Sequence, residues 1–301
     1  MLLTDEVWSW LGRTASYRAS EPLGQASIRY FALATGDDPD RWDGVAPPTL
    51  ICETCQIYGG LARHAVTGYL GHSWELPFAV PTRLVRGGND YTFLRPVTAG
   101  DLIGVTWTLV DLVEKASFVV AEAEAVYSNQ FGVRLAVNRE TSLHQPVPSG
   151  QSGSDATGGP GKRAAPWDLS TRPTGELPQP KDLVMPLDAA DLMAYGAATW
   201  DWHRLHYDAT YCRSIGLDGP IVDGQLLGAL QARHVRDWAG PNSALHRLWF
   251  RNTAMVRPGD EVRVEGRVVR AAGPLVELEQ RACVNGQLVA VGGAELVLRV
   301  G

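Results

Sequence analysis

Apolar and polar residues alternate in Phe118-Val-Val-Ala-Glu-Ala-Glu-Ala-Val126 and again in Val262-Arg-Val-Glu-Gly-Arg-Val268. A period of two sends successive side chains to opposite faces, so both stretches read as half-buried antiparallel strands. They belong to two matching sets. Residues 102–113, 118–127 and 133–143 are apolar, β-rich runs that follow Arg95-Pro-Val-Thr-Ala-Gly-Asp101. Residues 262–270, 275–284 and 288–300 repeat the arrangement after Val256-Arg-Pro-Gly-Asp260. Between the last two runs, Asn285-Gly286 is a two-residue hairpin signal. Ahead of each set the period changes. Leu226, Leu227, Leu230, His234 and Trp238 fall at helical spacing, and residues 49–69 hold the equivalent place earlier in the chain.

Each half therefore predicts short helices, one long apolar helix, then three or four antiparallel strands. A curled sheet wrapping the helix buries both apolar surfaces, and the class is α+β. Two such units in tandem can join edge to edge into one continuous sheet, hiding edges that invite aggregation. Residues 145–180 separate the halves. They hold 6 Gly and 7 Pro in 36 residues, with only Val147, Trp167, Leu169 and Leu177 as sizeable apolar groups, and read as a linker. The expected division is 1–144, 145–180 and 181–301.

Composition narrows the function. The chain has 301 residues, 45% of them apolar and ten of them Trp, enough for a sizeable core. With 27 basic and 33 acidic residues the net charge is −6, which argues against a nucleic-acid binder. No window reaches the 18 to 20 apolar residues of a membrane span. Met1-Leu-Leu-Thr-Asp-Glu6 lacks the basic and apolar regions of a secretory signal. Four cysteines, two of them as Cys52-x-x-Cys55, are too few for a disulfide framework, and the expected location is cytoplasmic.

The densest chemistry lies in Tyr195-Gly-Ala-Ala-Thr-Trp-Asp201-Trp-His-Arg-Leu-His206-Tyr-Asp208. A carboxylate and an imidazole stand five residues apart, where one helix pattern ends and another begins. Trp200, Trp202, Leu205 and Tyr207 flank them and predict a largely apolar wall. Burial there moves both groups towards neutral pKa values, where proton transfer in either direction is efficient. The same residues also suit a polar turn with a helix-capping Asp.

Together with Gly216-Leu-Asp-Gly-Pro-Ile-Val222 and Gly224, this segment resembles the MaoC-type, R-specific enoyl-thioester hydratases. Trp-Asp-Trp-His-Arg-Leu-His-Tyr-Asp is similar to a subgroup containing mesaconyl- and itaconyl-type CoA hydratases and type 2 hydroxyacyl-thioester dehydratases. Thr35-Gly-Asp-Asp-Pro39 and Gly44-Val-Ala-Pro-Pro-Thr49 resemble the dehydratase-like domain that accompanies it. The resemblance covers nearly the whole chain outside the linker and implies tandem hot-dog domains. It implies Asp201 and His206 as the acid–base pair and Gly224 as the amide that binds the thioester oxygen. No metal, nucleotide or redox cofactor is implied. The implied partner is an acyl-CoA or acyl-carrier-protein thioester, with assembly into a homo-oligomer compatible with it.

Two departures stand out. Five residues after Asp37, the place of the family's His is Trp42, so the first half lacks the acid–base partner and Asp37 reads as structural. Asp223 stands where the family has a His, and a carboxylate there is unfavourable near a developing enolate unless it points away or caps the helix. His203, at the family's Asn position, is a candidate for substrate contact or support of the pair. Arg204 is a candidate for an anionic group on the substrate, or else a solvated neighbour of the site. Cys52 and Cys55 lack a second ligand pair for zinc. His64, His72, His144, His234 and His246 lack partner motifs. No phosphate-binding glycine loop or Gly-x-Ser-x-Gly is present. The expected activity is reversible hydration of a 2-enoyl thioester. Its alternatives are a hot-dog acyl thioesterase and a non-catalytic acyl-thioester-binding subunit of a partner hydratase.

Overall fold

The computed structural model describes residues 2–53, 67–147, 162–165 and 177–298. Its frame is a ten-stranded antiparallel sheet. The first half contributes β1 (Thr14–Arg18), β2 (Thr82–Phe93), β3 (Gly104–Glu114), β4 (Val119–Ser128) and β5 (Arg134–Pro146). The second contributes β6 (Leu183–Pro186), β7 (Ser243–Asn252), β8 (Glu261–Ala272), β9 (Leu275–Val284) and β10 (Gln287–Leu298). Their order is β1-β3-β4-β5-β2-β7-β10-β9-β8-β6, the same five-strand arrangement twice, reflected about the β2–β7 pair.

All six runs read from the periodicity are strands. In β4 every second residue from Val119 to Tyr127 is buried, as the pleat requires. Asn285 and Gly286, at φ of 50° and 76°, make the turn between β9 and β10. The helices are α1 (Asp5–Trp8), α2 (Gln25–Ala34), α3 (Ala189–Thr199), α4 (Ala209–Ser214) and α5 (Gly224–Ala239). In α5, Leu226, Leu227, Leu230 and His234 are buried, as their spacing predicts. Burial extends to Gly228 and Gln231 as well, because the sheet encloses the helix rather than meeting one stripe of it. A Cβ at Gly228 would lie 2.2 Å from Cε1 of Phe250 on β7, so only glycine lets that ring seat on the helix.

The halves share one interior. A single apolar cluster contains Ile28, Phe31 and Leu112 with Leu226, Leu230 and Val264. At the seam, Gly88 to Thr92 of β2 pair with Arg251 to Arg247 of β7. Tyr91 is fully buried there and donates its hydroxyl to Gln225 Oε1 of α5 at 3.1 Å.

Two expectations change. The linker was expected from Gln145, but β5 runs through Pro146, and Arg163 bridges to Gln287 of β10. Residues 148–161 and 166–176 of the expected linker lie outside the described residues. So do residues 54–66, with most of the first half's expected helix, Cys55 and His64. Before them, Pro48–Glu53 forms a 3₁₀ turn. Among the described residues, no helix is long and apolar enough to cross a membrane.

Candidate active site

The chain leaves α3 through Trp200, a non-glycine residue in left-handed conformation at φ 58°. That conformation is uncommon, and here it turns the backbone so that Asp201 enters the interior, 5% exposed. One Asp201 oxygen, Oδ1, accepts the His203 backbone N–H at 3.0 Å. His203 then caps a 3₁₀ turn, Arg204–His206, accepting the Leu205 N–H on Nδ1 at 3.1 Å. Its neutral ring therefore carries the proton on Nε2. Burial, and then the neighbouring His206, push its pKa down to about 3.

His206 is oriented from the opposite side. Its Nδ1 lies 2.8 Å from the carbonyl oxygen of Ile221, which can only accept, so Nδ1 is protonated, and in the neutral ring Nε2 is the acceptor. Two residues on, Asp223 caps α5 by accepting the Gln225 N–H on Oδ1 at 2.9 Å. Gly224 follows as the first residue of α5, where backbone N–H groups lack intrahelical partners and the dipole is positive. One ligand-type atom from each of Asp201, His206 and Asp223 lies within 4.8 Å of the others.

These three line a cleft together with His203, Gly224, Leu227 and Asn252, and the first half closes it with Tyr69, Leu84 and Arg86. Arg86 donates to Tyr69 Oη at 3.4 Å and pairs with Glu140 at 3.4 Å. The Asp201 carboxyl is pushed up to about 6 by burial and then by the charge of Asp223, against the pull of His206 and Arg86. Burial works against ionised Asp223 too, but His206, Arg86 and the Gln225 N–H hold its pKa below the usual range.

Asp201, His203, His206 and Gly224 thus come together as the sequence expects. Arg204 does not line the cleft. Its guanidinium is tied to Asp208 Oδ2 at 2.7 and 2.9 Å and lies 4.7 Å over the Tyr211 ring. The expected apolar wall holds in part, with Leu205 buried and lining the cleft. Trp200 and Tyr207 are 53% and 44% exposed, and Asp201 is buried among Leu192, Tyr195 and Leu226 instead. Asp223 does cap the helix, yet its Oδ2 is buried with no ordinary donor beside it among the described residues, the Asp201 carboxyl being the side chain in hydrogen-bonding reach. The spacing gave no notice of Arg86, Tyr69 or Asn252. Gly87-Gly88 held the available signal: two glycines in a strand mark a bulge, and the β2–β5 register shifts between Arg86 and Gly88.

The matching place in the first half is filled. Trp42 donates its indole N–H to Asp37 Oδ2 at 2.8 Å, while Arg41 donates to Oδ1 at 2.8 Å. The guanidinium of Arg236 lies 5.3 Å from the centre of the Trp42 ring. The five-residue spacing survives, with an indole donor in place of an imidazole. Trp42→Phe is expected to leave Asp37 Oδ2 buried without a donor, costing about 1–3 kcal/mol in denaturant titration while turnover stays within a few-fold.

The other histidines among the described residues are interior or surface groups. His72 bonds Tyr17 Oη at 3.0 Å and His234 bonds Gln280 Nε2 at 2.9 Å. His144 is buried, which pushes its pKa down to about 4, and His246 is exposed.

Comparison with known proteins agrees with this architecture. A profile of the MaoC-like domain matches residues 171–282. A UPF0336 protein of Streptomyces griseus is 31% identical over 114 residues, covering 34% of this chain and 69% of that protein. Among solved structures, a MaoC-like dehydratase superposes with a TM-score of 0.73 at 17% identity, over 97% of this chain and 100% of the other. A Mycobacterium tuberculosis protein described as having a double hot-dog fold superposes with a TM-score of 0.61 at 14% identity, over 96% of each chain. The fold is a double hot-dog, and residues 171–282 match the MaoC-like domain.

Proposed function

We propose that the protein catalyses reversible hydration and dehydration of a 2-enoyl/3-hydroxyacyl thioester, with residues 181–301 supplying the acid–base chemistry. The observation that carries this reading is the convergence of the Asp201 carboxyl and the His206 ring, held by Ile221 through Nδ1, at the N-terminus of α5. In the hydration direction, Asp201 and His206 hold one water against the β-carbon. They remove its proton as the C–O bond forms and deliver one to the α-carbon. The thioester oxygen, which gains negative charge between these events, accepts the Gly224 N–H. His203, neutral with Nε2–H, serves as a donor at the cleft wall. The first half supplies Tyr69 and Arg86 rather than a second reacting pair.

The direct test follows a panel of 2-enoyl-CoA substrates by loss of the conjugated double bond. Release of free thiol with the double bond intact would instead identify a thioesterase, and inactivity towards every thioester would favour a binding subunit. Turnover is expected to persist in excess chelator, because the proposed steps use only side chains and water. Loss on chelation with recovery on adding zinc would overturn that mechanism. Activity should also fall as pH drops through about 6, where Asp201 takes up the proton that disables it as a base.

A further inference from the structure

We propose that Asp223 is a positioning residue of this site, sharing one proton with Asp201 and making it the stronger base of the two carboxyls. The inference rests on the proposed roles of Asp201 and His206 and adds a third member. The two aspartates are buried, 5% and 7% exposed, with His206 beside them. Each spends Oδ1 on one backbone N–H, that of His203 for Asp201 and that of Gln225 for Asp223. Asp223 Oδ2 remains, buried and with no backbone or other ordinary donor beside it among the described residues, and the side chain in hydrogen-bonding reach of this carboxyl is that of Asp201. A buried carboxylate oxygen in that position is costly unless a proton or cation reaches it. The Asp201 carboxyl is the adjacent group able to present a proton.

Which carboxyl keeps the charge follows from what faces them. His203 and His206 come from the loop after α3, and Tyr195 from α3 itself. Tyr69 and Arg86 come from the first half, with Glu140 on β5 behind Arg86. Asp223 sits on the positive end of α5, with Arg86 and His206 acting on it, so it is the anion of the pair. Asp201 lacks the helix end and is pushed up by burial and by Asp223, so the exchangeable proton of the pair sits on Asp201 below about pH 6 and leaves it free as the base above that. The Arg86 guanidinium acts on both carboxyls and disfavours a divalent cation between them. Asp223 thereby raises the affinity of Asp201 for the proton it must take from water, without itself touching the substrate.

The test is a carbon-13 titration of the intact chain carrying ¹³Cγ-labelled Asp, in wild type, Asp201→Asn and Asp223→Ser. Serine still caps the helix, so the substitution removes charge and spares α5. One carboxyl is expected to titrate near pH 6 in wild type and to be missing in Asp201→Asn. In Asp223→Ser its midpoint is expected to fall by about one pH unit, a tenfold loss of proton affinity. The acid limb of kcat/KM should fall by the same amount. Asp223→Asn, also a good cap, reads the same shift should the serine variant fail to fold. An Asp201 midpoint in the ordinary carboxylate range, or one unmoved in both variants, would overturn the proposal. So would wild-type binding of added Mn²⁺ that Asp223→Ser abolishes. A wild type that shows the titration but hydrates no thioester would overturn the proposed activity and leave the proton pair standing.

Discussion

Asp201→Asn and His206→Ala are each expected to lower turnover by roughly 10²- to 10⁴-fold, the usual contribution of a positioned acid or base, with the fold retained. Asn keeps the size of Asp and an oxygen for the His203 N–H, but it cannot accept the water proton. Removing His206 takes away the Nε2 acceptor that Ile221 orients. The double variant should lose little more than the worse single one, because both groups act on the same water. Asp37→Asn is the internal control. Its carboxylate already receives the Trp42 indole, Arg41 and the Asp38 N–H, so turnover of the folded variant should stay within a few-fold of wild type. The comparison is made at substrate saturation, with circular dichroism establishing that each variant is folded. Equal damage from Asp37→Asn and Asp201→Asn would mean that both halves take part in the chemistry.

The second large effect concerns the isolated half. Residues 181–301 expressed alone are expected to self-associate or aggregate and to show no measurable turnover. Removing the first half strips β7 of its ladder with β2 and uncovers the side of α5 that meets Tyr91. Each large apolar side chain withdrawn from the shared core, Ile28, Phe31 and Leu112 among them, costs on the order of 1.5–3 kcal/mol. Arg86 and Tyr69 leave the cleft at the same time. Size-exclusion chromatography with light scattering reads the association directly. A monomeric half with full activity would contradict the shared interior.

Strict periodicity made part of this legible. β4 and α5 show opposite cases of the same rule, a period of two where one face is buried and a helical repeat where a sheet closes around it. β2 and β7 did not stand out, although they form the centre of the sheet. β2 carries Arg86-Gly-Gly-Asn-Asp90 across its middle, and β7 carries His246-Arg247 and Arg251. Pairing across the seam holds them, with Arg247 donating to both Asp90 oxygens at 2.7 and 2.8 Å, so their apolar alternation is weak. β1 and β6 are edge strands of five and four residues, too short to register as a period. At the site, local spacing found Asp201 and His206 because one turn presents both. Arg86 was invisible because it arrives from more than a hundred residues earlier. Asp223 was visible as a residue, but its second oxygen acquires a role only when α5 is set against the loop after α3.

The seam also has a consequence for how the chain emerges from the ribosome. β2 ends at Phe93 and its central partner β7 begins at Ser243, so about 150 residues must be added before that edge can be covered. At ~5–20 residues per second the delay is on the order of 10–30 s. Once β5 has followed, β2 can pair with it on one side while its other edge stays open to neighbouring nascent chains. The charged Arg86 and Asp90 and the bulge at Gly87-Gly88 are features that discourage mispairing of an open strand. Residues that look poorly suited to a central strand in the finished sheet are well suited to the interval in which that strand is still an edge.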